Sequence, residues 1–128
     1  MIEIDGAIKR LDFDGFSFTE APWIHKKDGT YYLSYATGFP EKIAYATADR
    51  IDGPYRYQGI LNELAGNSNT NHQAIVQFKN NWYFIYHNGG IQTGGGSYSR
   101  SVCIDRLFYQ ADGKLKRVRM TTEGIHGR

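Results

Sequence analysis

Two stretches of this 128-residue sequence are copies of one pattern, and the offset between them limits what the chain can fold into. The first copy opens with Trp23-Ile24-His25-Lys26, turns at Lys27-Asp28-Gly29, and returns through Thr30-Tyr31-Tyr32-Leu33-Ser34-Tyr35. Asp-Gly between alternating apolar residues is among the strongest local signals for a hairpin. A shift of 51 positions, from Pro22 to Gln73, lays Gln73-Ala74-Ile75-Val76-Gln77 on the first strand. The same shift lays Trp82-Tyr83-Phe84-Ile85-Tyr86-His87-Asn88-Gly89 on residues 31–38 with no gap. Ile43–Thr47 and Tyr55–Leu61, joined across Asp52-Gly53-Pro54, complete the first copy. In the second, a Gly-rich stretch from Gly89 to Ser99 precedes a strand at Ser101–Tyr109. Asp112-Gly113 and a strand from Lys114 to Met120 then echo Asp52-Gly53, at a shift of 60 from Gly53 to Gly113.

Four short strands repeated every ~40 to 50 residues are the signature of propeller blades. The expected fold is therefore all-β, with two four-stranded antiparallel blades of a partial β-propeller domain, 1–128. The first blade spans 19–62 and the second 69–120, with lead-in strands in 1–18 and a tail at 121–128. The lead-in reads as a short strand from Ile2, a turn at Asp5-Gly6, a strand from Ala7 to Leu11 and a turn at Asp14-Gly15. In the second strands, Tyr31-Leu33-Tyr35 and Trp82-Phe84-Tyr86 point one way, and Tyr32-Ser34-Ala36 and Tyr83-Ile85-His87 the other. Apolar residues on both faces mean burial on both sides. Propellers close with about four to eight blades, so two cannot close. Further blades from other chains, a longer protein, or a face-to-face sandwich are the arrangements left, and the first two are favoured because a bare pair exposes apolar faces.

Composition excludes some functions. With 15 Lys+Arg against 13 Asp+Glu the formal charge is only +2, which argues against a dedicated nucleic-acid or membrane-surface protein. The basic run Lys114-Leu115-Lys116-Arg117-Val118-Arg119 reads as a charged outer strand that resists edge pairing. No apolar run approaches the ~20 residues that cross a bilayer, and residues 1–6 carry no signal-peptide core. The chain as written reads as soluble, with its compartment open. The single Cys103 sits in an apolar stretch and reads as a small packing residue.

Glu20 lies in Phe18-Thr19-Glu20-Ala21-Pro22-Trp23, where the proline stiffens the entrance to an inner strand. Desolvation by Phe18 and Trp23 would raise its pKa, as a general acid at neutral pH requires; the plain alternative is a solvated loop glutamate. His72, in Asn69-Thr70-Asn71-His72-Gln73-Ala74, holds nearly the same position in the second copy. A carboxylate and an imidazole at one rim are the candidate site. His25, His72, His87 and His126 have no zinc-type spacing, and His87 reads as a packing residue. The run from Gly89 to Arg100 lacks the Gly-Lys-Ser/Thr ending of a phosphate loop and feeds a strand. It reads instead as a mobile rim that brings Arg100, able to hold hydroxyls or a carboxylate, to the mouth, with a solvated arginine as the alternative. Trp23, Phe39 and Tyr98 are candidate stacking surfaces for a sugar, drawn from a composition that is 15% aromatic.

The 18–23 and 71–76 motifs, with Gly29–Tyr35, Ile43–Thr47, Trp82–Asn88 and Arg100-Ser101-Val102, together resemble glycoside hydrolase family 43. That family comprises five-bladed propeller enzymes cutting arabinose and xylose linkages in plant cell walls. The resemblance implies an arabinofuranosidase or β-xylosidase acting on arabinoxylan, xylan or arabinan. It implies that Glu20 is the general acid, and that His72 lies near a channel ion, calcium or sodium, with much of its shell made of water. Arg100 is implied to belong to the substrate pocket, and no organic cofactor is implied. Calcium prefers oxygen ligands, so a His contact would be single or weak. Such enzymes invert, which takes a second carboxylate ~6.5 to 9.5 Å from the acid. The family's base and third aspartate come from earlier blades, and Asp5, Asp12 and Asp14 match neither motif. The chain therefore resembles the C-terminal two-fifths of such an enzyme, begun at an internal methionine. Its missing blades would come from a complementary chain, from self-association or from the rest of a longer protein, with little activity expected of this part alone. A catalytically inactive carbohydrate-binding half-propeller, an endo-arabinanase fragment and a ligand-free assembly piece are the competing readings.

Overall fold

The computed structural model describes residues 6–8, 10–11, 13–14, 17–90 and 95–125, and no helix occurs among them. Strands β1 (Phe13–Asp14), β2 (Phe18–Lys27), β3 (Thr30–Thr37), β4 (Lys42–Ala48) and β5 (Tyr55–Asn62) form the first sheet, in the order β1-β5-β4-β3-β2. Strands β6 (Ala74–Phe78), β7 (Asn81–Asn88) and β8 (Ser101–Leu107) form the second, in the order β6-β7-β8. Every pairing is antiparallel except that of β1 with β5, which is parallel.

The hairpins follow from local chemistry. Asp28 and Gly29 both have positive φ, 49° and 82°, between the paired Lys27 and Thr30, the geometry of a two-residue turn whose twist matches its strands. Lys79 and Asn80, with φ of 47° and 64°, do the same between Phe78 and Asn81. The repeat read from the sequence is thus a structural repeat, β2-β3-β4 against β6-β7-β8.

The faces alternate as the sequence implied. Tyr32 and Ala36 of β3 join Ile43, Tyr45 and Leu61 in a core shared with Phe84, Tyr86 and Leu107 of the second sheet. Leu33 and Tyr35, on the opposite face, pack with Ala44, Ala46 and Tyr55, and Phe13 of the lead-in lies against them. The seam between the sheets therefore joins one face of the first copy to the opposite face of the second. That head-to-tail relation is how blades stack around an axis.

Two expectations fail. The segment Lys114–Met120 is not a fourth strand of the second sheet; only one bridge, Tyr109 to Leu115, is made there. Leu115 and Val118 are its buried residues, a spacing of three that a flat strand with period two cannot bury on one face. The segment instead lies along the seam: Val118 N–H donates to the Leu61 carbonyl at 2.8 Å, and Arg117 bridges Glu63 at 2.8 Å. The strand expected from Ala7 to Leu11 is also absent among its described residues. The lead-in pairs at Phe13–Asp14 instead, where Phe13 can meet Tyr35 edge-on at 5.3 Å. The strand expected from Ile2, Asp5 of the first expected turn and Gly15 of the second lie outside the described residues.

Candidate active site

The site forms where β2 enters the first sheet. Pairing runs from Phe18 with Thr37 to Glu20 with Ala36 and on to Trp23 with Ser34, so β2 carries extra residues on either side of Glu20. Such bulges re-aim side chains near functional sites. Here Ala21 takes a positive φ of 57°, and Pro22, which cannot donate to a ladder, sits in the irregular step. Glu20 is left at an open rim, its side chain 48% exposed.

The polar run that opens the second sheet reaches back to the first, residue after residue. Asn71 donates its side-chain Nδ2–H to Asn62 Oδ1 at 2.8 Å and its backbone N–H to Glu41 Oε2 at 2.9 Å. His72 Nε2 meets Glu20 Oε1 at 3.0 Å. Gln73 Nε2 donates to the Ala21 carbonyl at 3.0 Å and to Ser34 Oγ at 2.9 Å. Next in the same sheet, the Ile75 carbonyl accepts from Trp23 Nε1 at 3.2 Å. The loop thus grips β2 on both sides of the bulge. Arg100 joins from the far rim, donating from Nη2 to Thr70 Oγ1 at 3.1 Å and from Nε to the Ser97 carbonyl at 2.9 Å.

The electrostatics differ from those expected. The hydrogen bond from His72, then the contact with Glu41, hold Glu20 below the usual carboxylate range. Desolvation by Phe18 and Trp23 does not prevail, because both rings are themselves partly exposed. The carboxyl pushed upward is that of Glu41, 2% exposed, and burial is the main cause. His87 is held below the ordinary imidazole range by burial; its ring meets that of His72 edge-on at 5.8 Å, and its Nε2 has no partner among the described residues.

The structure brings together Glu20 and His72, with Arg100 one residue pair away through Thr70. Trp23, three residues on from Glu20, has its indole N–H already spent on the Ile75 carbonyl. Phe39 and Tyr98 are among the most exposed aromatic residues, and no contact ties either to the Glu20–His72 pair among the described residues. Phe39 lies two residues before Glu41, and Tyr98 follows Ser97, whose Oγ accepts from Asn69 N–H at 2.9 Å. Sequence reasoning missed Glu41 altogether, and gave Asn71 and Gln73 no role. The available signal was a lone carboxylate between Pro40 and the buried strand from Ile43.

Glu20, Glu41 and His72 each offer one ligand atom, all within 4.8 Å of one another. Calcium takes six to eight oxygens. One Glu41 oxygen already accepts from Asn71, and His72 Nε2 is engaged by Glu20, leaving its Nδ1. This donor set suits a hydrated ion with few protein ligands and does not make a protein cage.

The entrances of the two repeats thus bring a carboxylate, an imidazole and a guanidinium to one mouth. The family model of glycosyl hydrolases family 43 matches residues 3–115, and the chain belongs to that family. A xylosidase/arabinosidase of Bacteroides ovatus is 43% identical over 108 residues, covering 84% of this chain and 31% of that protein. Among solved structures, a β-xylosidase/α-arabinofuranosidase from a compost metagenome, with xylotriose and in a calcium-free form, is 40% identical. It covers 79% of this chain and 30% of its own, at a TM-score of 0.74. An arabinoxylan arabinofuranohydrolase of Bacillus subtilis, with cellotetraose, is 31% identical over 89% of this chain and 27% of its own, at a TM-score of 0.81. The chain thus spans between 19% and 39% of the length of the curated relatives it matches, and about a third of the Bacteroides ovatus protein.

Proposed function

We propose that this chain supplies two blades, 19–62 and 69–120, of a five-bladed inverting glycosidase that removes xylose or arabinofuranose from xylan, arabinoxylan or arabinan. Residues 1–18 lead into the first blade and 121–128 form a tail. The observation that carries the reading is Glu20, on a bulged strand entrance, held by His72 of the second repeat in a family 43 chain. The relatives named for xylosidase and arabinosidase activity, and the neighbour solved with xylotriose, support the substrate class.

In this reading Glu20 is the general acid that protonates the departing sugar oxygen. Its carboxyl must then gain a proton at neutral pH, which packing against sugar and the remaining blades favours by removing water from the rim. A second carboxylate ~6.5 to 9.5 Å away activates water on the opposite face; that base and the third carboxylate come from the other blades. His72 orients Glu20 through Nε2, and Arg100 holds substrate hydroxyls. Trp23, Phe39 and Tyr98 offer faces for sugar rings. A hydrated calcium or sodium ion in the channel, met by His72, would supply fixed positive charge when bound.

The test is a leaving-group series on the complete propeller. Glu20→Gln cannot donate a proton, so hydrolysis of xylobiose and alkyl glycosides falls about 10²- to 10⁴-fold, while dinitrophenyl glycosides, which leave unaided, lose far less. Equal losses across the series remove Glu20 from the acid's role. The lowered pKa of Glu20 favours one second reading, a sugar-binding but inactive half-propeller. Calorimetric binding of xylo-oligosaccharides without turnover in any assembly would favour that one.

A further inference from the structure

Glu41 has no part in the acid/base scheme above, yet its environment is unusual for a carboxylate. It is 2% exposed, and no lysine or arginine bridges it among the described residues; its neighbour Lys42 pairs with Glu63. Burial of an acid without a cation is costly, and an apolar or amide residue would fill the space at lower cost. Besides its side-chain contact with Glu20, Glu41 has a two-point hold on one loop. Its Oε2 accepts the Asn71 N–H at 2.9 Å, and its own N–H donates to the Asn69 carbonyl at 2.9 Å. The residues that follow in that loop are the ones that fix Glu20. His72 meets its carboxylate at 3.0 Å, and Gln73 donates to the carbonyl of Ala21 at 3.0 Å.

We propose that Glu41 is a positioning residue for Glu20: it anchors the 69–73 loop by accepting the Asn71 N–H, and so sets where His72 and Gln73 hold the bulge of β2. The proposal rests on Glu20 acting as general acid. It depends on reach, since the anchor is one oxygen at one distance. Displacement of a reacting group by about 1 Å costs on the order of 10²-fold in rate, so a shortened side chain at position 41 should be felt at Glu20 without any direct contact with sugar.

Two substitutions in the complete propeller separate reach from charge. Glu41→Gln keeps an acceptor oxygen at the same distance and removes the charge. Glu41→Asp keeps the charge and withdraws the oxygen by one methylene. The expected result is that Glu41→Asp lowers kcat on xylobiose about 10- to 100-fold with KM within about 3-fold, and loses much less on a dinitrophenyl xyloside. Glu41→Gln should stay within about 3-fold of the parent on both. The reverse order, equal losses in both variants, no loss in either, or a loss that ignores the leaving group would each overturn the proposal. Near-ultraviolet circular dichroism checks that both variants fold. Glu20→Gln run alongside isolates the underlying reading: if its own loss ignores the leaving group, the general-acid assignment has failed, whatever position 41 does.

Discussion

The two ends of β2 carry opposite solutions to one problem, how the first repeat is joined to the second. At its entrance Glu20 reaches His72 across an open rim, with both side chains nearly half exposed. Five residues on, His25 is buried, stacked on Tyr32 at 4.7 Å and flanked by Trp82 at 5.3 Å, with its Nε2 2.6 Å from the Tyr109 hydroxyl. Both contacts cross the repeat and both use an imidazole. At the rim, water screens the pair and its members stay free to exchange partners, so it contributes little to stability. In the seam, burial pushes the His25 pKa down to about 4 and holds the Tyr109 hydroxyl above its usual range. One strand thus carries a wet end, where the proposed acid lies, and a dry structural end, and what separates them is solvent.

The comparison can be broken by exchanging the expected effects. The largest belongs to the rim: Glu20→Gln should cost the 10²- to 10⁴-fold in turnover described above, while its melting curve overlays that of the parent. A large stability loss there would make the rim structural after all. In the seam the order is reversed. His25→Ala empties a site lined by three aromatic rings and should destabilise by about 3 kcal/mol in denaturant titration, with kcat of the folded fraction unchanged.

The next effect is a pH dependence. Because the folded pKa of His25 lies below its unfolded value, the unfolded chain takes up the proton first as pH falls. The stability contribution is complete above about 6.5 and is lost as pH drops toward 4. Between pH 7 and pH 5 it should amount to about 2 kcal/mol, seen as a difference in acid slope between the parent and His25→Gln. Parallel slopes would mean that the buried ring is not the titrating group. The smallest effect is that of Tyr109→Phe, which deletes the hydroxyl facing His25 and should cost about 1 to 2 kcal/mol, again without touching turnover.

Much of this was legible from residues. The Asp28-Gly29 turn, the two-sided apolar pattern of β3 and the shift that sets His72 over the strand entrance of Glu20 are local signals or repeats of them. That Glu20 and His72, 52 positions apart, share one rim was legible only because the shift of 51 projects His72 onto Ala21, the neighbour of Glu20; their hydrogen bond was not. Lys114–Met120 misled, because only its first residues pair with 108–110 and the rest is held from the first repeat: the pull of Leu61 and Glu63 on that segment is a long-range fact that alternation cannot encode. The desolvation expected at Glu20 failed for a related reason, since which carboxyl is buried depends on how loops close over it.

The sequence by itself determined the strands of the two hairpins with β4, β5 and β8, the Asp28-Gly29 turn, the repeat and the family, because each rests on neighbours within a few residues or on a copied pattern. Tertiary structure alone decided that Glu41 comes to lie under Asn71, that β2 bulges on either side of Glu20, and that His25 is dry while His72 is wet. Those outcomes depend on distances between segments far apart in the chain, and the solvent exclusion that sets their energies exists only once the two sheets have met.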